Sequence, residues 1–133
     1  MSLAPQVSVI VPSYDHEGFV ASAVRSALDQ EEVSVEVIAI DDGSTDGSHA
    51  RLLEIEDDRL TVLRHENRGL SRTLNRGLAR ARGRWVKMLP SDDCLEPGAL
   101  ERQMTAAEAE GLGLVFSLPI VVDAKDAPAA DPG

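Results

Sequence analysis

Two adjacent acidic pairs, each following an apolar run, are the residues of this chain best placed to do chemistry. Val35-Glu36-Val37-Ile38-Ala39-Ile40 leads into Asp41-Asp42-Gly43-Ser44, and Trp85-Val86-Lys87-Met88-Leu89 leads into Pro90-Ser91-Asp92-Asp93. Carboxylates carried at the carboxyl ends of parallel strands lie where α/β sheets bind ligands. There they can accept from a base or ribose, or hold a hard divalent cation. In Ile40 to Asp46, Gly43 permits a tight turn, and Ser44 or Asp46 can cap the helix that follows. From spacing alone, a capped strand-to-helix turn explains this segment as well as a binding site does. A solvated turn explains Asp92-Asp93 nearly as well. An aspartate-based phosphatase would require an acid two residues before Asp42, where Ile40 stands, and is excluded on that residue.

Three further features bear on ligand chemistry. The first apolar run breaks at Pro12, and Tyr14, the single tyrosine, offers an aromatic face to a nucleobase, although a turn tyrosine packed on its neighbours is the ordinary alternative. Arg68, Arg72, Arg76 and Arg80 recur every fourth residue and form a stripe on a helix. Arg68 and Arg72, nearest the preceding loop, can reach phosphate oxygens, and the others read as solvated charge for solubility or for a partner. His16, His49 and His65 lack metal-ligand spacing and receive no role.

These residues need a scaffold. Apolar runs at Val7–Val11, Val35–Ile40, Leu60–Leu63, Trp85–Leu89 and Leu114–Leu118 alternate with helical spacing over Glu17–Asp29, Asp46–Ile55, Leu70–Ala81 and from Pro97 to Gly111. Phe19, Val20, Ala23, Val24, Ala27 and Leu28 make one apolar helix face. Pro97 suits a first helical position. The alternation predicts an α/β fold of three layers, helices on both faces of a mainly parallel sheet. The domain is expected over 7–122, after an N-terminal segment 1–6 that is either disordered or a cloning remnant, and before 123–133, either a flexible aperiodic tail or the start of a missing acceptor half.

The 133 residues suit about one domain, and 43% hydrophobic residues supply an ordinary core. A net charge of -10 argues against general nucleic-acid binding. The charge is uneven: eight basic residues and one acid between Arg64 and Lys87 give +7, leaving five basic and 22 acidic residues, -17, elsewhere. The single cysteine, Cys94, forms no internal disulfide or zinc cluster. Without a signal peptide or a run of about 18 apolar residues, the expectation is a cytoplasmic protein with no transmembrane segment. An uncovered sheet edge would allow a homodimer.

Val9-Ile10-Val11-Pro12-Ser13-Tyr14, Asp41-Asp42-Gly43-Ser44-Thr45-Asp46, Asn67-Arg68-Gly69-Leu70-Ser71 with Asn75-Arg76-Gly77-Leu78, and Ser91-Asp92-Asp93 before Pro97, taken in this order, resemble the family 2 inverting glycosyltransferases of GT-A fold. The resemblance implies a nucleotide-diphospho-sugar donor, most often a UDP-sugar, and an acceptor hydroxyl on a sugar, lipid or polysaccharide. It implies that Pro12 and Tyr14 lie against the base, that Asp42 bonds the base edge and that Asp41 supports its loop. Asp92 is then the ligand of Mn²⁺ or Mg²⁺ under the diphosphate, with Ser91 and Asp93 near ribose or sugar and Arg72 near phosphate. The sequence departs from the family pattern at Pro90, where an acid is usual, and at Leu74, where an arginine is common. The acceptor half and its general base are expected beyond the chain end, with Asp123 and Asp126 not nominated, so this piece is expected to bind donor and to transfer little. The alternative is a non-catalytic nucleotide-diphosphate-binding or assembly module. A dinucleotide fold is disfavoured because Pro12 to Gly18 lacks a glycine-rich turn.

Overall fold

The computed structural model describes residues 3–115 and 117. The elements run β1 (Val7–Ser13), α1 (Val20–Leu28), β2 (Val35–Asp41), α2 (Ser48–Leu53), β3 (Leu60–Arg64), α3 (Leu70–Arg80), β4 (Trp85–Met88) and α4 (Ala99–Glu110). The strands form one parallel sheet in the order β3-β2-β1-β4. The chain divides into two compact units, Met1–Arg102, which holds the whole sheet, and Gln103–Gly133, which begins within α4.

The core follows from strands that are apolar on both faces. β2 is buried along its whole length, and every residue of β1 is buried except Pro12, which is partly so. Such continuous burial is expected of central parallel strands. Val20, Ala23, Val24, Ala27 and Leu28 form the buried face of α1, as their spacing predicts. Burying each valine or leucine contributes about 1.5–3 kcal/mol. On the other face Ile10, Ile38 and Ile40 pack with Leu63, Leu74 and Ala81. Helix α3 comes close to β1 at Gly77, where an added Cβ would lie 2.5 Å from Ile10 Cγ2.

Several boundaries differ from the sequence expectation for identifiable reasons. β1 does not break at Pro12 but continues to Ser13, in register with Ile40 and Asp41. The Ile10 carbonyl accepts from Leu89, just past the end of β4, whereas the Ser13 carbonyl accepts from Asp42 on the β2 side. Backbone groups alternate sides along a parallel strand, so the missing donor of Pro12 faces β4, whose pairing with β1 has already ended.

Helix α1 starts at Val20, not Glu17, because the Glu17 amide donates to Asp46 (3.2 Å) and its carboxylate accepts from the Gly47 amide (3.1 Å). Phe19 therefore sits at the N-cap and is 52% exposed, outside the apolar face assigned to it, with its ring edge-on to His16. Pro97 precedes α4: the Ala99 amide donates to the Glu96 carbonyl across Pro97 and Gly98, and Gly98 has φ +77°. Proline then glycine at the centre is the pattern of a type II turn. Leu114, Val115 and Ser117 are irregular, not strand, and residues 116 and 118 of that expected strand lie outside the described residues.

Candidate functional site

The carboxyl ends of β1, β2 and β4 bring the sequence motifs to one end of the sheet. β1 lies at the point where the strand order reverses, with β2 on one side and β4 on the other. This switch point is where open α/β sheets leave a crevice for ligands.

At the end of β2, Asp42 is enclosed. Its Oδ1 accepts from His65 Nε2 (2.8 Å) and the Arg68 amide (2.8 Å), and its Oδ2 accepts from the Gly69 amide (3.2 Å). Burial pushes this carboxyl up, but the hydrogen bonds, led by those of the Arg68 amide and His65, outweigh it and hold it below the usual carboxylate value. A carboxylate has about four acceptor positions, so three donors leave about one for a ligand. Gly43 makes the close approach of the two loops possible: its φ is +75°, and a Cβ there would meet the Asn67 amide nitrogen at 2.6 Å.

Asp41 is fully buried. Its Oδ2 accepts from the Ser44 amide (3.1 Å) and lies 3.4 Å from Arg64 Nε, while Oδ1 has no partner among the described residues. Ser13 is its register partner on β1, and the Ser13 Oγ is likewise buried and unpartnered. Asp46 Oδ1 accepts from both the Ser48 hydroxyl (2.6 Å) and the Ser48 amide (2.9 Å), and these bonds, the hydroxyl first, lower its pKa. It thereby satisfies an amide in the first turn of α2.

The loop after β1 carries Tyr14, 45% exposed. Asp15, with φ +51°, accepts from the Thr45 amide (2.7 Å) and donates its own amide to Ser44 Oγ (3.0 Å). The loops after β1 and β2 are thus bound together.

The turn after β4 differs. The Asp93 amide donates to the Pro90 carbonyl (3.0 Å), while Asp92 and Asp93 are exposed and their carboxylates accept no hydrogen bond from the described residues. Two adjacent exposed carboxylates can supply oxygen ligands to a divalent cation. Among the described residues no group of three or more His, Cys, Asp or Glu gathers as an all-protein cage would require.

The structure brings Pro12, Tyr14, Asp41, Asp42, Ser91, Asp92 and Asp93 to the same end of the sheet. Arg72 lies on α3, exposed and without a side-chain partner among the described residues. Leu74 packs into the core, so it and Arg72, about 200° apart around the helix, occupy different sides.

Two readings of the basic and histidine residues need correction. Arg76 is not a solvated member of the stripe: Nη1 donates to the Arg64 carbonyl (3.1 Å) and to His65 Nδ1 (2.9 Å). Arginine can only donate, so His65 Nδ1 accepts and Nε2 carries the proton directed at Asp42. Arg82, also in the basic stretch, donates its amide (2.7 Å) and Nε (3.3 Å) to the buried Glu36. His65 directly follows β3 and is bonded to Asp42, and His16 lies in the loop after β1, beside Ser91. The signal available in the sequence for His65 was its place directly after β3.

Comparison with known proteins identifies this scaffold. Residues 8–130 match the profile described as glycosyl transferase family 2. The chain belongs to that family. A relative, the succinoglycan biosynthesis protein ExoO of Rhizobium meliloti (strain 1021), is 39% identical over 108 residues, covering 80% of this chain and 31% of that protein. The putative teichuronic acid biosynthesis glycosyltransferase TuaG of Bacillus subtilis (strain 168) is 42% identical over 103 residues, 75% of this chain and 41% of that protein.

Among solved structures, the mannosyltransferase PcManGT from Pyrobaculum calidifontis in complex with GDP-Man and Mn²⁺ superposes with TM-score 0.71 at 26% identity, over 80% of this chain and 33% of that one. S. aureus TarS 1-349 in complex with UDP-GlcNAc gives TM-score 0.71 at 27% identity, over 80% and 32%. The family 2 chain here thus has the GT-A fold and spans about a third of the length of these proteins. None of its described helices is long and apolar enough to cross a membrane.

Proposed function

We propose that this chain is the donor-binding part of an inverting glycosyltransferase that moves a sugar from a nucleotide diphosphate, a UDP-sugar in the first instance, to an acceptor hydroxyl. The observation that carries the reading is the pair of free, exposed carboxylates at Asp92 and Asp93, across the switch point from an exposed Tyr14 ring. Family membership supports it, and so do the nucleotide-sugar complexes of two structural neighbours.

In this reading Tyr14 offers its ring to the base, with Pro12 beside it. Asp42, already fixed by three donors, accepts from the base edge with its remaining position, and Asp41 holds the loop. Asp93 faces ribose or sugar, whereas Ser91, implied there by the resemblance, is 2% exposed and bonded to His16 and so supports the turn from behind, and Arg72 approaches phosphate from α3. Asp92 would hold Mn²⁺ or Mg²⁺, with Asp93 adjacent, and a bound cation would supply Lewis-acid stabilisation of the charge building on the departing diphosphate. No described residue is assigned as the general base, and transfer belongs to the whole protein. The acceptor is a sugar, lipid or polysaccharide hydroxyl met in the cytoplasm, and a second copy pairs along a sheet edge as a homodimer.

Pro90 favours one alternative. With no carboxylate at that position, a nucleotide-diphosphate-binding module without transfer chemistry is the second reading.

Calorimetry with UDP and GDP, with and without Mn²⁺, on the wild type and Asp92→Asn tests the first reading. It predicts binding that Mn²⁺ strengthens and a loss of about tenfold or more in that component, about 1.4 kcal/mol, in the variant. A substitution that leaves the metal-dependent component intact removes Asp92 from the site. Adding a carboxylate with Pro90→Asp strengthens Mn²⁺-dependent binding if this turn is the metal locus.

A further inference from the structure

The backbone ladder between β1 and β4 ends where the Leu89 amide meets the Ile10 carbonyl, and Pro12 has no donor to extend it. Beyond that point the two loops are joined through side chains. His16 Nδ1 lies 2.6 Å from Ser91 Oγ, and Ser91 is only 2% exposed.

His16 is firmly held on its own side. Its amide donates to Ser48 Oγ (2.9 Å), its carbonyl accepts from the Phe19 and Val20 amides, and its ring stands edge-on to Phe19 with centroids 6.2 Å apart. Ser48 in turn donates to Asp46 Oδ1 (2.6 Å). On the other side, Ser91 and Asp92 are the two central residues of the turn closed by the Asp93 amide on the Pro90 carbonyl. Fixing the Ser91 side chain therefore limits rotation of the turn whose next two residues are the exposed acids.

We infer that His16 is a positioning residue: it latches Ser91 across the switch point and so sets the direction in which Asp92 and Asp93 present their carboxylates to the ligand. Adjacent like charges on an exposed turn repel and would otherwise spread over several orientations. A turn ordered beforehand spares the ligand that cost. The ligand side of this inference rests on the donor-site reading above, whereas the latch itself does not.

The full chain is compared with His16→Ala, His16→Asn, Ser91→Ala and the double variant His16→Ala/Ser91→Ala. Backbone amide relaxation at Ser91, Asp92 and Asp93 is measured without ligand, and affinities are measured for UDP with Mn²⁺, UDP with chelator, and uridine. His16→Ala and Ser91→Ala are each expected to loosen the turn and to weaken Mn²⁺-dependent UDP binding by about tenfold, with uridine binding unchanged. The double variant is expected to be no worse than either single one, because both remove the same contact. Asparagine at position 16, which can still hydrogen-bond Ser91, is expected to restore part of the loss.

Turn amides as rigid in His16→Ala as in the wild type overturn the latch. Additive losses in the double variant, or an equal loss for uridine, overturn the positioning role. If the wild type binds neither UDP nor GDP, the donor reading fails by itself, and the relaxation measurement still decides the latch. Should His16→Ala fail to fold, His16→Asn and Ser91→Ala carry the same comparisons.

Discussion

The two acidic pairs look alike in sequence and are used in opposite ways by the fold. Asp41-Asp42 closes β2 at the sheet centre, buried and met by the Ser44, Arg68 and Gly69 amides and by His65. Asp92-Asp93 follows β4, where pairing with β1 has ended, and stays exposed with its carboxylates free of the described residues. A carboxylate already supplied with donors stabilises loops, and one left without them is available to a ligand. Substitutions at the first pair are therefore expected to change stability, and those at the second to change binding.

The contrast is broken most directly by Asp42→Ala. Removing the acceptor strands His65 Nε2–H and the Arg68 and Gly69 amides, an expected loss of about 3 kcal/mol in urea unfolding, while Asp92→Ala is expected to shift stability by no more than about 0.5 kcal/mol. Equal effects would show that the two turns are not different in kind. Gly43→Ala comes next. The new Cβ would press on the Asn67 amide nitrogen at φ +75°, pushing the loop off Asp42 at a cost of about 2 kcal/mol, read from the same unfolding curves.

A pH titration sharpens the comparison further. The Asp42 carboxyl sits below its ordinary 3.8 in the folded protein, so its stabilisation is fully present above that value and is lost as pH falls through the lower folded one. In that window the unfolded chain binds more protons than the folded chain. Glu36 is lowered as well: burial pushes it up, and the hydrogen bonds of Ser8 and Arg82 more than reverse this. The Asp42 share must therefore be read as the difference in acid-unfolding slope between wild type and Asp42→Asn, and a slope unchanged by the substitution would contradict the cage.

The smallest expected effect separates two arginines of one stripe. Arg76→Ala removes the donor that fixes the His65 ring and is expected to cost about 1 kcal/mol, whereas Arg72→Ala leaves unfolding unchanged within about 0.5 kcal/mol.

That last pair shows where sequence reading stops. Period four predicts Arg68, Arg72, Arg76 and Arg80 on one side of a helix, but α3 begins at Leu70 and leaves Arg68 in the loop, and the path of that loop from Arg64 to Gly69 selects Arg76 as the member that reaches inward. Pro97 is a similar case: proline suits a helix start, yet the following glycine at φ +77° uses it in a turn instead. Phe19 matched an apolar period and still lies outside the core, because tertiary bonds to Glu17 delay the helix.

The chain by itself determined the alternation of strands and helices, the parallel sheet and the positions of the motif residues at strand ends. Apolar periodicity and turn chemistry are local, and they act within a few residues. Only the tertiary structure decided which carboxylates are filled, that His65 orients on Asp42, and that His16 meets Ser91 across the gap left by Pro12. Those outcomes depend on donors and acceptors up to 75 positions apart in the chain, as His16 and Ser91 are, and such pairs meet only when the strand order brings their loops together.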